Sequence, residues 1–240
     1  MSESKAKPSS GQALSDALAK LKVYDHGSPR APLLPIDRAA SSLPSGSSGG
    51  KQLEQELLAI LRAGCSVVAQ DYVCSRFVLV GSEAAVPALE ALLGSRELTT
   101  SARTALEHIP HAVATRALQD SLPKLTAEHQ AEVLSSLGAR RDPAAVVTLA
   151  AYLRYSDPVV FGAAAAALAQ IGSAKAAEAL MKSYAAGSQP ARKALADPLL
   201  TCAEQLHAAG KKGEAERICA LLDDPAQPRY VRKAATRGRG

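Results

Sequence analysis

From Leu134 to Leu180 the chain alternates apolar stripes with short polar breaks, and the stripes have helical spacing. Val146, Leu149, Ala150 and Leu153 fall on one face of a 3.6-residue helix. Before them stands Asp142-Pro143, a carboxylate able to cap free backbone N–H groups, then a proline where a missing N–H costs nothing. Ser156-Asp157-Pro158 repeats that punctuation and opens a second helix with inner positions Val160, Ala163, Ala164, Ala167, Leu168 and Ile171. Gly138 and Gly172 are expected to end the helices bounding this pair, because glycine enters a left-handed turn without strain. The alanines Ala163 to Ala167 let a neighbouring helix come close, and Leu168 and Ile171 are left to supply the bulk.

The alternation extends both ways. Leu14, Leu18 and Leu21 mark a short lead-in helix over 12–22, which Pro29, Pro32 and Pro35 cut off. The run SSLPSGSSGG over 41–50 is small and polar, so 1–50 is read as a lead-in with a flexible segment and 51–240 as the main domain. In that domain Leu53, Leu57, Leu58 and Leu61 open the first helix, and the next runs over 66–80 to Gly81. Further helices follow over 82–95, 98–110, 113–125, 126–138, 173–187 and 190–209. The breaks Gly81, Pro110, Gly138, Gly172 and Gly210 lie 28 to 38 residues apart, the spacing of stacked helical hairpins. A coiled coil would run on in heptads without such breaks. The expected fold is all-α, an α-solenoid of about five to six helical hairpins.

The residues Asp157-Pro158, Val160, Ala164, Ala167, Leu168 and Ile171-Gly172, followed by Ala176-Ala177 and Ala179-Leu180, resemble a HEAT repeat. Pieces recur in Val80-Gly81 with Ala85-Val86-Pro87-Ala88-Leu89, and in Leu137-Gly138 with Ala145-Val146, so the resemblance covers roughly residues 51 to 240. It extends to the HEAT-like repeats of phycobilisome-linker lyases and to HEAT segments of large bacterial proteins. The arginine that such second helices often carry is Thr99 and Phe161 here and survives as Arg232, so a regular charge ladder between repeats is not expected. CAEQLHAAGKKGEAERICALL, over 202–222, is similar to a tetratricopeptide hairpin, and YVRKAATRG resembles the opening of another HEAT helix. Either the array continues in a longer protein, or Val231 and Ala234 cap it against the preceding hairpin.

Charge changes the picture only at one end. Residues 51–228 carry 17 basic and 19 acidic side chains, whereas 229–240 hold five basic and no acidic ones, so the net +5 belongs largely to the tail. That tail is read as a solvated end rather than a phosphate-binding arm. Nucleic-acid binding is disfavoured, since a groove for it would be basic and aromatic and this chain has no Trp. No apolar run approaches the ~20 residues of a membrane span, and MSESKAKPSSGQ lacks the apolar core of a signal peptide. The chain as written is expected to be soluble.

Little catalytic chemistry is visible. Cys65 and Cys74 are too far apart along one helix to bridge, whereas Cys202 and Cys219 flank a turn symmetrically and are read as packed thiols, with a disulfide the alternative. His26, His108, His111, His129 and His207 are scattered, and Pro110 breaks the one close pair. With no CxxC, HExxH or phosphate loop, neither an enzyme site nor a cofactor is expected. Arg140-Arg141-Asp142 reads first as a helix end and cap, and otherwise, with Arg103, as donors to a partner's carboxylate or phosphate. The family resemblance implies a protein partner held on a concave face lined by second helices. Thr104, His108, Glu132, Ser136 and Gln170 take equivalent outward positions there. The expected function is a non-catalytic protein-binding scaffold, with an accessory subunit of a lyase-type enzyme as the alternative.

Overall fold

The computed structural model describes residues 9–44 and 46–238. The opening octapeptide read above for a signal peptide, Ser45 of the polar run and Arg239 of the basic tail lie outside them. Among the described residues all regular structure is helical, with fourteen α-helices and no strand. The chain forms two compact units that divide between Ala117 and Leu118.

The first unit contains α1 (Ser10–Leu21), α2 (Leu34–Ser42), α3 (Ser48–Ala63), α4 (Val67–Val80), α5 (Val86–Leu92) and α6 (Thr99–His108). Successive helices pair as α1 with α2, α3 with α4 and α5 with α6, while α2 packs on α4 and α4 on α6. The second helices thus form one layer. The three prolines do not end helical structure after α1: Pro32 opens a 3₁₀ turn and Pro35 sits in the first turn of α2, where no backbone N–H is missed. Nor is the polar run loop throughout, since α2 continues to Ser42 and α3 begins at Ser48, with Ser47 accepting from the Gly50 N–H at 3.1 Å. The buried row of α3 is Leu53, Leu57, Leu58 and Ile60, and Leu61 is half-buried instead.

α2 is tied to α4 by a polar knot. Tyr72 donates its hydroxyl to Asp37 Oδ1 at 2.6 Å, Arg76 reaches the same oxygen at 2.6 Å, and Arg30 lies 3.5 Å from Oδ2. The Arg30 and Arg76 guanidinium groups lie 5.5 and 5.1 Å from the Tyr72 ring centre. Burial and the bond to Asp37 push the Tyr72 phenol well above its ordinary range, so it stays a donor.

α7 (Ala112–Ser121) runs across the division. The second unit then holds α8 (Ala127–Arg140), α9 (Val146–Tyr152), α10 (Pro158–Ile171), α11 (Ala174–Ala186), α12 (Gln189–Ala208), α13 (Lys212–Leu222) and α14 (Arg229–Arg237). α10 packs against both α8 and α12, while α9 contacts α11 and α11 contacts α13, which makes two layers. The punctuation works as expected: Asp157 accepts from Val159 and Val160 N–H at 2.8 and 3.1 Å, Asp142 from Ala144 at 3.0 Å and Ser173 from Ala176 at 3.2 Å.

Three expectations change. Gly138 lies inside α8, which ends at Arg141, left-handed at φ 51°. Gly138 serves contact, because a Cβ there would stand 2.6 Å from Ala167 Cα. Gly172 does end α10 at φ 60°. Because α10 is packed on two sides, Ala165 and Ala169 are buried, while Ala163 and Ile171 are only half-buried and Leu168 carries most of the bulk. In α14 the buried residues are Val231 and Ala235, and Ala234 is half-buried. None of the four cysteines is in a disulfide, and burial raises the Cys74 and Cys202 thiols to about 12 and about 11.

Candidate protein-interaction surface

The second-helix layer of the second unit leaves one face of each helix in solvent, and the exposed positions follow helical spacing. On α8 they are Glu128, Ser135 and Ala139, with Glu132 half-buried between them. On α10 they are Val159, Ala166 and Gln170, with Gly162 and Ala163 half-buried. On α12 they are Lys193, Asp197, Thr201 and Glu204. The middle helix therefore presents a smooth strip between two charged helices, for the reason that made it pack: residues small enough to admit α8 and α12 on its sides are small on its open side too. A Cβ added at Gly162 would meet nothing within 4 Å. Such a strip admits a partner's backbone or bulky side chains, and the acids and cations beside it can set register.

The residues expected to bind a partner fall into two groups. Arg103, Thr104 and His108 stand on α6 of the first unit. There Arg103 lies 4.0 Å from Glu107, the Thr104 hydroxyl donates to the Thr100 carbonyl at 2.7 Å, and exposed His108 donates from Nδ1 to the Thr104 carbonyl at 2.8 Å. Glu132, Ser136, Arg140, Arg141 and Gln170 belong to the second unit, where α8 and α10 bring Glu132 and Gln170 onto adjacent helices. Ser136 is not outward-facing: it is 1% exposed, and Val133, Leu137 and Gly138 around it are buried as well, so this end of α8 is covered on more than one side. Arg140 is half-buried in the last turn of α8 and Arg141 is exposed as its left-handed end. Asp142 acts as a cap, as expected.

Sequence reading missed the breadth of the smooth strip, since a run of alanines reads as core on every side. Its signal was Gly162, a residue with poor helix propensity in a helix that otherwise favours alanine. Among the described residues no group of three or more His, Cys, Asp or Glu side chains could hold a metal, and no helix is long and apolar enough to cross a membrane. His111 Nε2 lies 3.0 Å from Glu83 Oε2, away from His108's own carbonyl contact.

Residues 115–199, from within α7 to within α12, match the family model for HEAT repeats. The match is to HEAT repeats in general and does not single out the lyase-type group. No curated protein matches the chain. The matched segment is the one whose second helices α8, α10 and α12 stack side by side, so the similarity to HEAT repeats rests on this part of the chain.

Proposed function

We propose that this chain is a non-catalytic scaffold that holds a protein partner against the exposed face of α8, α10 and α12. HEAT repeats are helical arrays that often mediate protein interactions, and the matched residues 115–199 span this face. The observation that carries the reading is the smooth strip of α10, Gly162, Ala163 and Ala166, between Glu128 and Glu132 on one side and Lys193 and Asp197 on the other. A surface shaped by backbone and bounded by mixed charge suits recognition by form. Glu132 and Gln170 would contact the partner directly, and Arg140 and Arg141 would reach it from the end of α8. Arg103, Thr104 and His108 would serve an equivalent role on the first unit.

The test is capture from lysate by the full chain and by Ala166→Arg, read beside a salt-titrated DNA-binding assay. Ala166 is exposed, so the variant should melt like the wild type. Proteins captured by the wild type and lost by the variant support the reading. Identical capture by both, or salt-dependent retention on DNA in its place, overturns it.

A further inference from the structure

The opposite layer of the second unit contains a separate opening. α9 and α11 stand side by side, and with the first turn of α10 and the start of α12 they enclose a cleft of about 530 Å³. Leu153 and Phe161 line it together with a set of alanines from α9 and α11. At its edge Val147 is 82% exposed, an unusual position for a valine whose neighbour Val146 is core. Enclosed small-molecule sites bury most of their ligand, whereas here the apolar edge stands in water.

Two cations complete the lining, Arg154 just after α9 and Lys182 on α11, and no acidic residue lines the cleft with them. Among the described residues neither is ion-paired. Arg192, in the first turn of α12, shows the contrast: its Nε lies 3.2 and 3.1 Å from the carbonyls of Tyr184 and Gly187 and its work is structural. The uncompensated positive charge is local, since residues 51–228 as a whole carry more acids than bases. The connection from α9 into α10 adds Tyr155, which is 46% exposed. Aromatic and arginine residues around an apolar centre are the composition of a protein interface.

We propose that this cleft docks a short acidic amphipathic segment of a protein partner, whose apolar side chains cover Leu153 and Phe161 while its carboxylates meet Arg154 and Lys182. The charge of the lining selects this occupant, because guanidinium and ammonium groups beside apolar surface are satisfied by carboxylates that flank an apolar anchor. The site is distinct from the second-helix face and stands whether or not that face binds.

The full chain is panned against a phage-displayed library of random short peptides. Selected peptides are then measured by fluorescence anisotropy on the wild type, Arg154→Glu/Lys182→Glu, Val147→Asp and Ala166→Arg. Selection should enrich sequences that combine Asp and Glu with Leu, Ile or Phe, and the double charge reversal should weaken them about tenfold or more. Val147→Asp, at an exposed position that leaves melting unchanged, should weaken them as well, and Ala166→Arg should leave them bound. The proposal is overturned if no acidic amphipathic sequence is enriched, if the selected peptides bind the charge-reversed chain equally, or if Ala166→Arg abolishes them. It is also overturned if phosphatidylserine vesicles, and not peptides, are bound through Arg154 and Lys182.

Discussion

At Gly138 a single methyl group decides how closely two helices can approach. A Cβ there would lie 2.6 Å from the Ala167 Cα, a backbone atom that cannot swing aside. Gly138→Ala gains about 1 kcal/mol of helix propensity but forces α8 and α10 apart, and overpacking of that kind costs about 1–3 kcal/mol. Gly162→Ala is the control: with nothing within 4 Å of its Cβ, it should stabilise by about 0.5–1 kcal/mol. Urea denaturation of the two variants should therefore shift in opposite directions. Both glycines are plain in the sequence, but their roles are not. A glycine after an apolar run reads the same whether it ends the helix, as Gly172 does, or lets another helix in, as Gly138 does. What separates them is a contact with Ala167, which no local pattern records.

At the level of elements, the sequence was most informative where capping chemistry and periodicity agreed. Asp157, Ser66, Thr126 and Ser173 all cap the helices they precede, each with a short side-chain oxygen that accepts from a first-turn N–H. It was least informative around α2, whose prolines argued for a break although they fall in first turns. That helix is short and depends on long-range partners, which is why it was missed. Its anchor is the Tyr72 hydroxyl on Asp37, a bond to a charged group in a half-buried site. Tyr72→Phe removes it while leaving the Arg76 contact and the ring packing, so a loss of about 1–2 kcal/mol is expected, toward the low end for bonds to charged groups. Amide exchange should speed up in α2 and stay unchanged in α5 and α6. Uniform acceleration through the first unit would mean that the knot holds more than α2.

For the molecule as a whole, the pairing of neighbours sets how far damage travels. In a stacked array each helix contacts those beside it, so stability is close to a sum of local terms and not one property of a single core. α10 is the place to test this, because it packs against both α8 and α12 and supplies most of its bulk through Leu168, which is fully buried. Leu168→Ala should cost roughly 2–5 kcal/mol, the range for a buried leucine whose cavity cannot fully collapse. The surrounding alanines have no longer side chains to swing into the space, which argues for the upper part of that range. Hydrogen exchange followed by mass spectrometry should show protection lost most in α10, less in α8 and α12, and little in α1 to α6. An equal loss across both units would mean that the chain unfolds as one cooperative block, in which case a partner seated on α8, α10 and α12 would stabilise all of it rather than the repeats it touches.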